Sequence, residues 1–195
     1  EGEENGVTDS FVDLVTIGTV ADVMPLIKEN RELVRRGVTM LADSDRIGIQ
    51  ALIEAVGLGS RKMTSTSVAF GICPRINAAG RMGSADRAIR LLLSDDYDEA
   101  MLLAQEINDE NVTRQQTEQE ILIQAVEQIN KNPEWQYQNV LVVAGEGWHD
   151  GVVGIVASRL VEKYGKPTLV ITIDGDDAKG SGRSIEGFNL YDAIS

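Results

Sequence analysis

Val140-Leu141-Val142-Val143-Ala144-Gly145-Glu146-Gly147-Trp148-His149-Asp150-Gly151 carries an apolar run into a glycine-rich turn, and an amphipathic stretch continues from Gly151 to Tyr164. The next apolar run is Thr168-Leu169-Val170-Ile171-Thr172-Ile173. Short runs rich in β-branched residues read as strands, and the stretch between them has the apolar spacing of a helix. Strand, helix and strand joined by a crossover of this length imply parallel pairing. This end of the chain is therefore predicted to be α/β. Asp150 is the expected N-cap, and Gly151 and Gly154 are expected to let the helix pack closely on the sheet. A turn that leaves a strand and opens a helix also aims backbone N–H groups at its occupant, which favours an anion.

Upstream of Pro133, residues 97–130 read as one long helix, apolar at Met101, Leu102 and Ile107 and again at Ile121, Ala125, Val126 and Ile129. Its middle, Asn108 to Glu120, is almost wholly polar, which predicts an exposed helix crossing solvent between two domains. From Phe11 to Ile53 apolar residues recur at helical spacing, with Leu33, Val34, Val38 and Leu41 on one face. Short helices punctuated by Pro25, Gly37 and Gly48 are expected there. Thr64 to Ile72 should be a further helix, opened by a Ser/Thr cap and ended by Pro74, and Ala85 to Leu93 another. The resulting division is a mainly helical part over 1–95, a linker helix over 96–132 and an α/β part over 133–195.

At 195 residues, 43% hydrophobic and 25% charged, the composition is that of a globular chain. No apolar run approaches the roughly 18 to 20 residues of a membrane span, and the acidic start Glu1-Gly2-Glu3-Glu4 is the opposite of a signal peptide. A cytoplasmic protein with no membrane partner is expected. The single cysteine, Cys73, and the single histidine, His149, exclude an internal disulfide and an ordinary zinc site. Any metal would be held mainly by carboxylates. A first residue other than methionine suggests an excised piece of a longer chain.

The net charge of −13 runs against nucleic-acid binding when taken alone. Its distribution is compatible with a local basic groove, because Arg75, Arg81, Arg87 and Arg90 lie in one short stretch and Arg159 and Arg183 sit beside glycine-rich segments.

Four segments carry candidate chemistry, each with a plainer reading beside it. Asp22, in Gly18-Thr19-Val20-Ala21-Asp22, is either an acidic helix-end residue or an oxygen ligand for a hard cation. Pro74-Arg75-Ile76-Asn77-Ala78-Ala79-Gly80-Arg81-Met82-Gly83 combines arginine forks, an asparagine and small residues, as a phosphate-facing segment would, or is a surface turn with solvated arginines. His149 is structural, solvated or a direct participant, and Trp148 packs in a core or stacks on a base. Gly180-Ser181-Gly182-Arg183-Ser184 offers two hydroxyls and an arginine to a terminal phosphate, or is a flexible hairpin end. It lacks the Gly-Lys-Ser or Gly-Lys-Thr of a P-loop, so an ATPase has no support.

In this order, Gly18 to Leu26, Asn30-Arg31, Pro74 to Met82, Arg114-Gln115, Gly147 to Arg159 and Gly180 to Ser184 resemble the RecJ branch of the DHH phosphoesterase superfamily. The resemblance implies the distal part of a DHH domain, a linker helix and a truncated DHH-associated domain. It also implies two Mn²⁺ or Mg²⁺ ions in the complete enzyme, single-stranded DNA running between the domains, digestion from the 5′ end, and work in DNA repair and recombination. Replication or repair proteins would be further partners.

By similarity Asp22 would be a metal ligand. Arg75, Asn77 and Arg81 would line the DNA path, with Arg81 and His149 near the chemistry, and Ser181 and Arg183 would hold the 5′ phosphate. The family's Asp-x-Asp and Asp-His-His motifs would lie before Glu1, and its Gly-Gly-His segment after Ser195, so the piece alone is expected to be inactive. Two other readings are a DHH phosphodiesterase for oligonucleotides or cyclic dinucleotides, which usually has a shorter linker, and a non-catalytic DNA-binding relative, which should have lost Asp22 and the arginines.

Overall fold

A computed structural model describes residues 10–195. The acidic start at Glu1 to Glu4 lies outside the described residues. The chain divides into two compact units, one running to Val112 and the other from Thr113 to Ser195. The division falls inside the longest helix.

The first unit is helical: α1 (Val12–Ala21), α2 (Lys28–Ala42), α3 (Ile47–Ala55), a single turn α4 (Ser65–Ser67), a π-helical turn (Val68–Ile72), α5 (Cys73–Met82) and α6 (Asp86–Leu93). The start of α7 (Tyr97–Lys131) completes it. Its core is built from Ile17, Leu41, Leu52, Ile72, Leu91 and Ile107, all buried. On α2 the buried positions Val34, Gly37 and Leu41 fall on one stripe, and Leu33 and Val38 flank it half-buried, close to the predicted face. Glycine at 37 and 48 is dictated by backbone approach. A Cβ at Gly37 would lie 2.6 Å from the Val12 carbonyl oxygen, and one at Gly48 would lie 1.7 Å from that of Leu91.

Pro74 does not end a helix, contrary to the sequence expectation. Thr64 opens the helical stretch with a reciprocal cap involving Ser67, as predicted, but the backbone then passes through the π-helical turn and Pro74 becomes an early residue of α5. Proline has no N–H to give the carbonyl four residues back, which is that of Phe70. Arg75 Nη1 donates to that oxygen instead, at 3.3 Å. The wider turn and the guanidinium together replace the missing hydrogen bond.

The second unit contains the remainder of α7, a 3₁₀ turn (Pro133–Tyr137), β1 (Leu141–Glu146), α8 (Asp150–Tyr164), β2 (Thr168–Asp174), β3 (Asp177–Arg183) and α9 (Leu190–Ile194). Strands β1 and β2 are parallel, with Leu141 opposite Thr168, as predicted. The segment Gly180 to Arg183 is not a loose hairpin end. It belongs to β3, which runs antiparallel to β2 from Asp174 opposite Asp177 to Thr168 opposite Arg183, and so makes the sheet mixed. Helix α8 buries Val152, Val153, Val156, Ala157 and Leu160 and stops at Gly165, whose φ of +64° lets its N–H reach the Val161 carbonyl at 2.8 Å.

Helix α7 is continuous as predicted, but its polar middle is not simply solvated. Asp109, Gln115, Gln116, Gln119 and Glu120 are exposed, whereas Asn111 is buried and Glu110, Arg114 and Glu118 are half-buried. A sheltered stripe with charged members survives because its charges are paired: Arg87 with Glu110 in the first unit, and Arg114 with Glu118 at 2.6 Å in the second.

Candidate nucleic-acid interface

In the first unit two predicted residues come together. Asp22 is exposed at the C-terminal end of α1 and begins a loop that lasts to Ile27. Asn77 Nδ2, on α5, donates to the carbonyl of Ala21, the residue just before Asp22, at 3.1 Å. Asn30 Nδ2 grips the other side of the loop through the Pro25 carbonyl at 3.2 Å. Between these ties Val23 has a φ of +53°, and Lys28 just beyond has +47°. A left-handed conformation is costly for a β-branched residue and persists only where the surroundings enforce it. The loop is therefore held with Asp22 at its base, and Asn77 holds it.

The arginines of this unit are less available than their clustering suggested. Arg75 is tied to Asn108 Oδ1 and the Phe70 carbonyl, both at 3.3 Å. Arg87 is paired with Glu110, and Arg90 with Glu99 at 2.6 Å. Arg81 is exposed in the last turn of α5. Cys73 is buried within 3.7 Å of the Ile17 carbonyl, and burial pushes its thiol up to about 11. It is a core residue.

In the second unit the predicted anion turn is already satisfied from within. His149, not Asp150, is the N-cap of α8: its Nδ1 accepts from the Gly151 N–H at 3.1 Å, and its carbonyl accepts from Val152 and Val153 at 2.9 and 3.2 Å. A neutral imidazole has one acceptor nitrogen, and His149 spends it at Nδ1, so its proton sits on Nε2. It presents an N–H to a ligand rather than a lone pair to a metal. The ring lines a cleft of about 430 Å³ with Asp150, Thr172, Asp174, Asp177 and Lys179. Trp148 is buried against Gly145 and donates from Nε1 to Gln124 Oε1 at 2.8 Å, so it packs a core.

Arg159 is paired with carboxylates. Its Nε donates to Glu118 at 3.2 Å and its Nη1 approaches Glu162 at 3.5 Å, and the bond to Glu118 raises its pKa. Arg183 differs. It is exposed at the end of β3, its Nη1 donates to Ser181 Oγ at 3.1 Å and to the Gly182 carbonyl at 2.7 Å, and among the described residues no carboxylate pairs with it. A guanidinium has five N–H donors, and most of those of Arg183 remain for a ligand.

Among the described residues no three His, Cys, Asp or Glu side chains come together to hold a metal ion. Asp22 offers a single carboxylate. The described residues do not by themselves make a metal centre.

Residues 137–195 match the DHHA1 domain family. Over 189 residues, 96% of the chain, the sequence is 41% identical to the single-stranded-DNA-specific exonuclease RecJ of Bacillus subtilis. Over 94% of the chain it is 39% identical to the enzyme of that name from Escherichia coli. Nearly the whole of this chain is thus similar to part of RecJ. The chain spans 24% of the length of the Bacillus RecJ and 33% of the Escherichia RecJ. RecJ from Thermus thermophilus, solved in complex with Mn²⁺, superposes with a TM-score of 0.83 at 38% identity, covering 95% of this chain and 27% of that one. RecJ from the same organism solved with Mg²⁺ gives a TM-score of 0.80 at 36% identity, covering 95% of this chain and 28% of that one. The order of segments that resembled RecJ thus lies on a backbone similar to part of RecJ.

Proposed function

We propose that this chain is part of a metal-dependent 5′-to-3′ single-stranded-DNA exonuclease acting in DNA repair and recombination in the cytoplasm. Its role there is to hold the strand and to supply one carboxylate to the metal centre. The observation that carries the reading is Arg183, a guanidinium with unused donors and, among the described residues, no carboxylate partner, beside the Ser181 hydroxyl. A guanidinium fork next to a hydroxyl is suited to the oxygens of a terminal phosphate. Residues 1–95 serve as the distal part of the DHH domain, 96–132 as the linker and 133–195 as the associated domain.

In this reading Asp22 is one oxygen ligand to Mn²⁺ or Mg²⁺, and Asn77 fixes the backbone that carries it. Arg75 and Arg81 flank the DNA path, although the ties of Arg75 leave it fewer donors to turn to a strand. His149 donates its Nε2 proton toward a phosphate oxygen, or toward the leaving oxygen. Replication or repair proteins are partners of the full-length enzyme rather than of any surface described above.

The test is Arg183→Ala in the full-length protein that carries this chain, assayed on 5′-phosphorylated and 5′-hydroxyl single strands. Loss of one charge-assisted contact should cost about 1.5 to 3 kcal/mol on the phosphorylated strand alone. Lysine should rescue poorly because it lacks the fork. Equal losses on both strands would remove the terminal-phosphate role.

A further inference from the structure

Helix interiors disfavour glycine by about 1 kcal/mol relative to alanine, so Gly154, in the second turn of α8, calls for a reason. Close packing of helix backbone on sheet backbone, the reason expected from sequence, is not what surrounds it. A Cβ at Gly154 would lie 2.9 Å from Ser181 Oγ, 3.1 Å from Arg183 Nη2 and 3.6 Å from Ser181 Cβ. All three are side-chain atoms. The contrast is with Gly37 and Gly48, where the obstructing atoms include backbone carbonyls of neighbouring helices. Ser181 and Arg183 stand two apart on β3 and so project from the same side of the strand, onto this helix. The space a side chain would fill at 154 is the space their polar ends occupy.

We infer that Gly154 is a positioning residue for the phosphate anchor. Its missing side chain lets the Ser181 hydroxyl and the Arg183 guanidinium lie together against α8, with Nη1 tied to Ser181 Oγ and the remaining donors turned to a ligand. The inference rests on the reading of Ser181 and Arg183 given above. It separates two quantities that a purely structural glycine would move together. Alanine at 154 crowds only the Ser181 hydroxyl and the end of the Arg183 side chain, with Ser181 Cβ at ordinary contact distance, so the fold absorbs it and gains helix propensity. The anchor does not absorb it, because a guanidinium displaced by a few tenths of an ångström loses the geometry of a two-pronged contact.

The experiment compares wild type, Gly154→Ala and Arg183→Ala in the full-length protein. Each is titrated by fluorescence anisotropy, in EDTA to prevent cleavage, with an oligothymidylate bearing either a 5′ phosphate or a 5′ hydroxyl. Thermal unfolding is recorded on the same preparations. The expected result is a wild-type preference for the phosphorylated strand that falls at least about fivefold in Gly154→Ala, with a melting temperature equal to or above wild type. If Arg183→Ala loses the preference while Gly154→Ala keeps it within about twofold, the inference fails and the anchor stands. If Arg183→Ala keeps the preference, or wild type shows none, the anchor itself fails. A Gly154→Ala protein that melts several degrees lower has lost packing, and the positioning role is refuted.

Discussion

Removing the Glu118 carboxylate should destabilise the second unit far more than removing the contact it makes with Arg159. Glu118 accepts from Arg114 Nη1 through one oxygen at 2.6 Å and from Arg159 Nε through the other at 3.2 Å. The side chains of Arg114 and Glu118 are 13% and 12% exposed, whereas that of Arg159 is 54% exposed. Deleting one partner of a sheltered ion pair typically costs about 3 to 5 kcal/mol, mostly through the charge left behind. Deleting an exposed one costs about 0.2 to 1 kcal/mol. Glu118→Ala should therefore cost about 3 kcal/mol, the lower end because Arg114 keeps other contacts, and Arg159→Ala less than about 1 kcal/mol. The assay is urea unfolding of this 195-residue chain followed by tryptophan fluorescence, since its two tryptophans, Trp135 and Trp148, both report the second unit. With a urea slope of about 1 to 3 kcal/mol per molar, Glu118→Ala should lower the midpoint by roughly 1 to 3 M. Equal shifts for the two variants would refute the claim that shelter of the Arg114 pair, rather than the number of contacts, sets the cost.

Two further outcomes follow from the same geometry. Cys73 should react with a thiol reagent at pH 8 about a hundredfold more slowly in the folded chain than after unfolding, because only the thiolate attacks and burial holds the thiol near 11 rather than 9. The stability this neutral thiol contributes is present below about pH 9 and is lost as pH rises through about 11, and labelling at the unfolded rate in native buffer would place Cys73 at the surface. The chain alone, given millimolar Mn²⁺ and 5′-labelled single strands, should not degrade them, because the described residues bring no three metal-binding side chains together. Sustained digestion by a nuclease-free preparation would mean that the catalytic centre is within this chain.

The elements were legible where local pattern determines them. The β-branched runs and helical spacing between Leu141 and Ile173 revealed the parallel pair, and the apolar ends of α7 revealed a helix bounded correctly to within a residue. Pro74 was misread because a breaker acts on one hydrogen bond, and whether that bond is replaced depends on where Arg75 turns. The cap of α8 was misassigned by one residue because an aspartate beside a histidine looks the better acceptor, yet the histidine's Nδ1 has the reach to the second N–H.

The site was legible only in part, for a reason that lies in electrostatics rather than pattern. An arginine in a motif advertises a ligand, but its meaning depends on whether a carboxylate already holds it. Arg159 and Glu118 are 41 residues apart, and Asn77 and the carbonyl that it grips are 56 apart. Nothing in the polar run of α7 marks Glu118 off from the exposed Glu120. Only the folded register shows that Arg114 and Arg159, both in segments that resemble RecJ, converge on one glutamate, and that Arg87 has another. Each such pairing cancels a positive charge at the surface, so on a chain of net charge −13 the proposed path of a strand rests on the cations that no carboxylate holds. Arg183, bonded to a hydroxyl and a carbonyl, is such a cation. Its partners, the Ser181 hydroxyl and the Gly182 carbonyl, carry no charge, so its own is not cancelled.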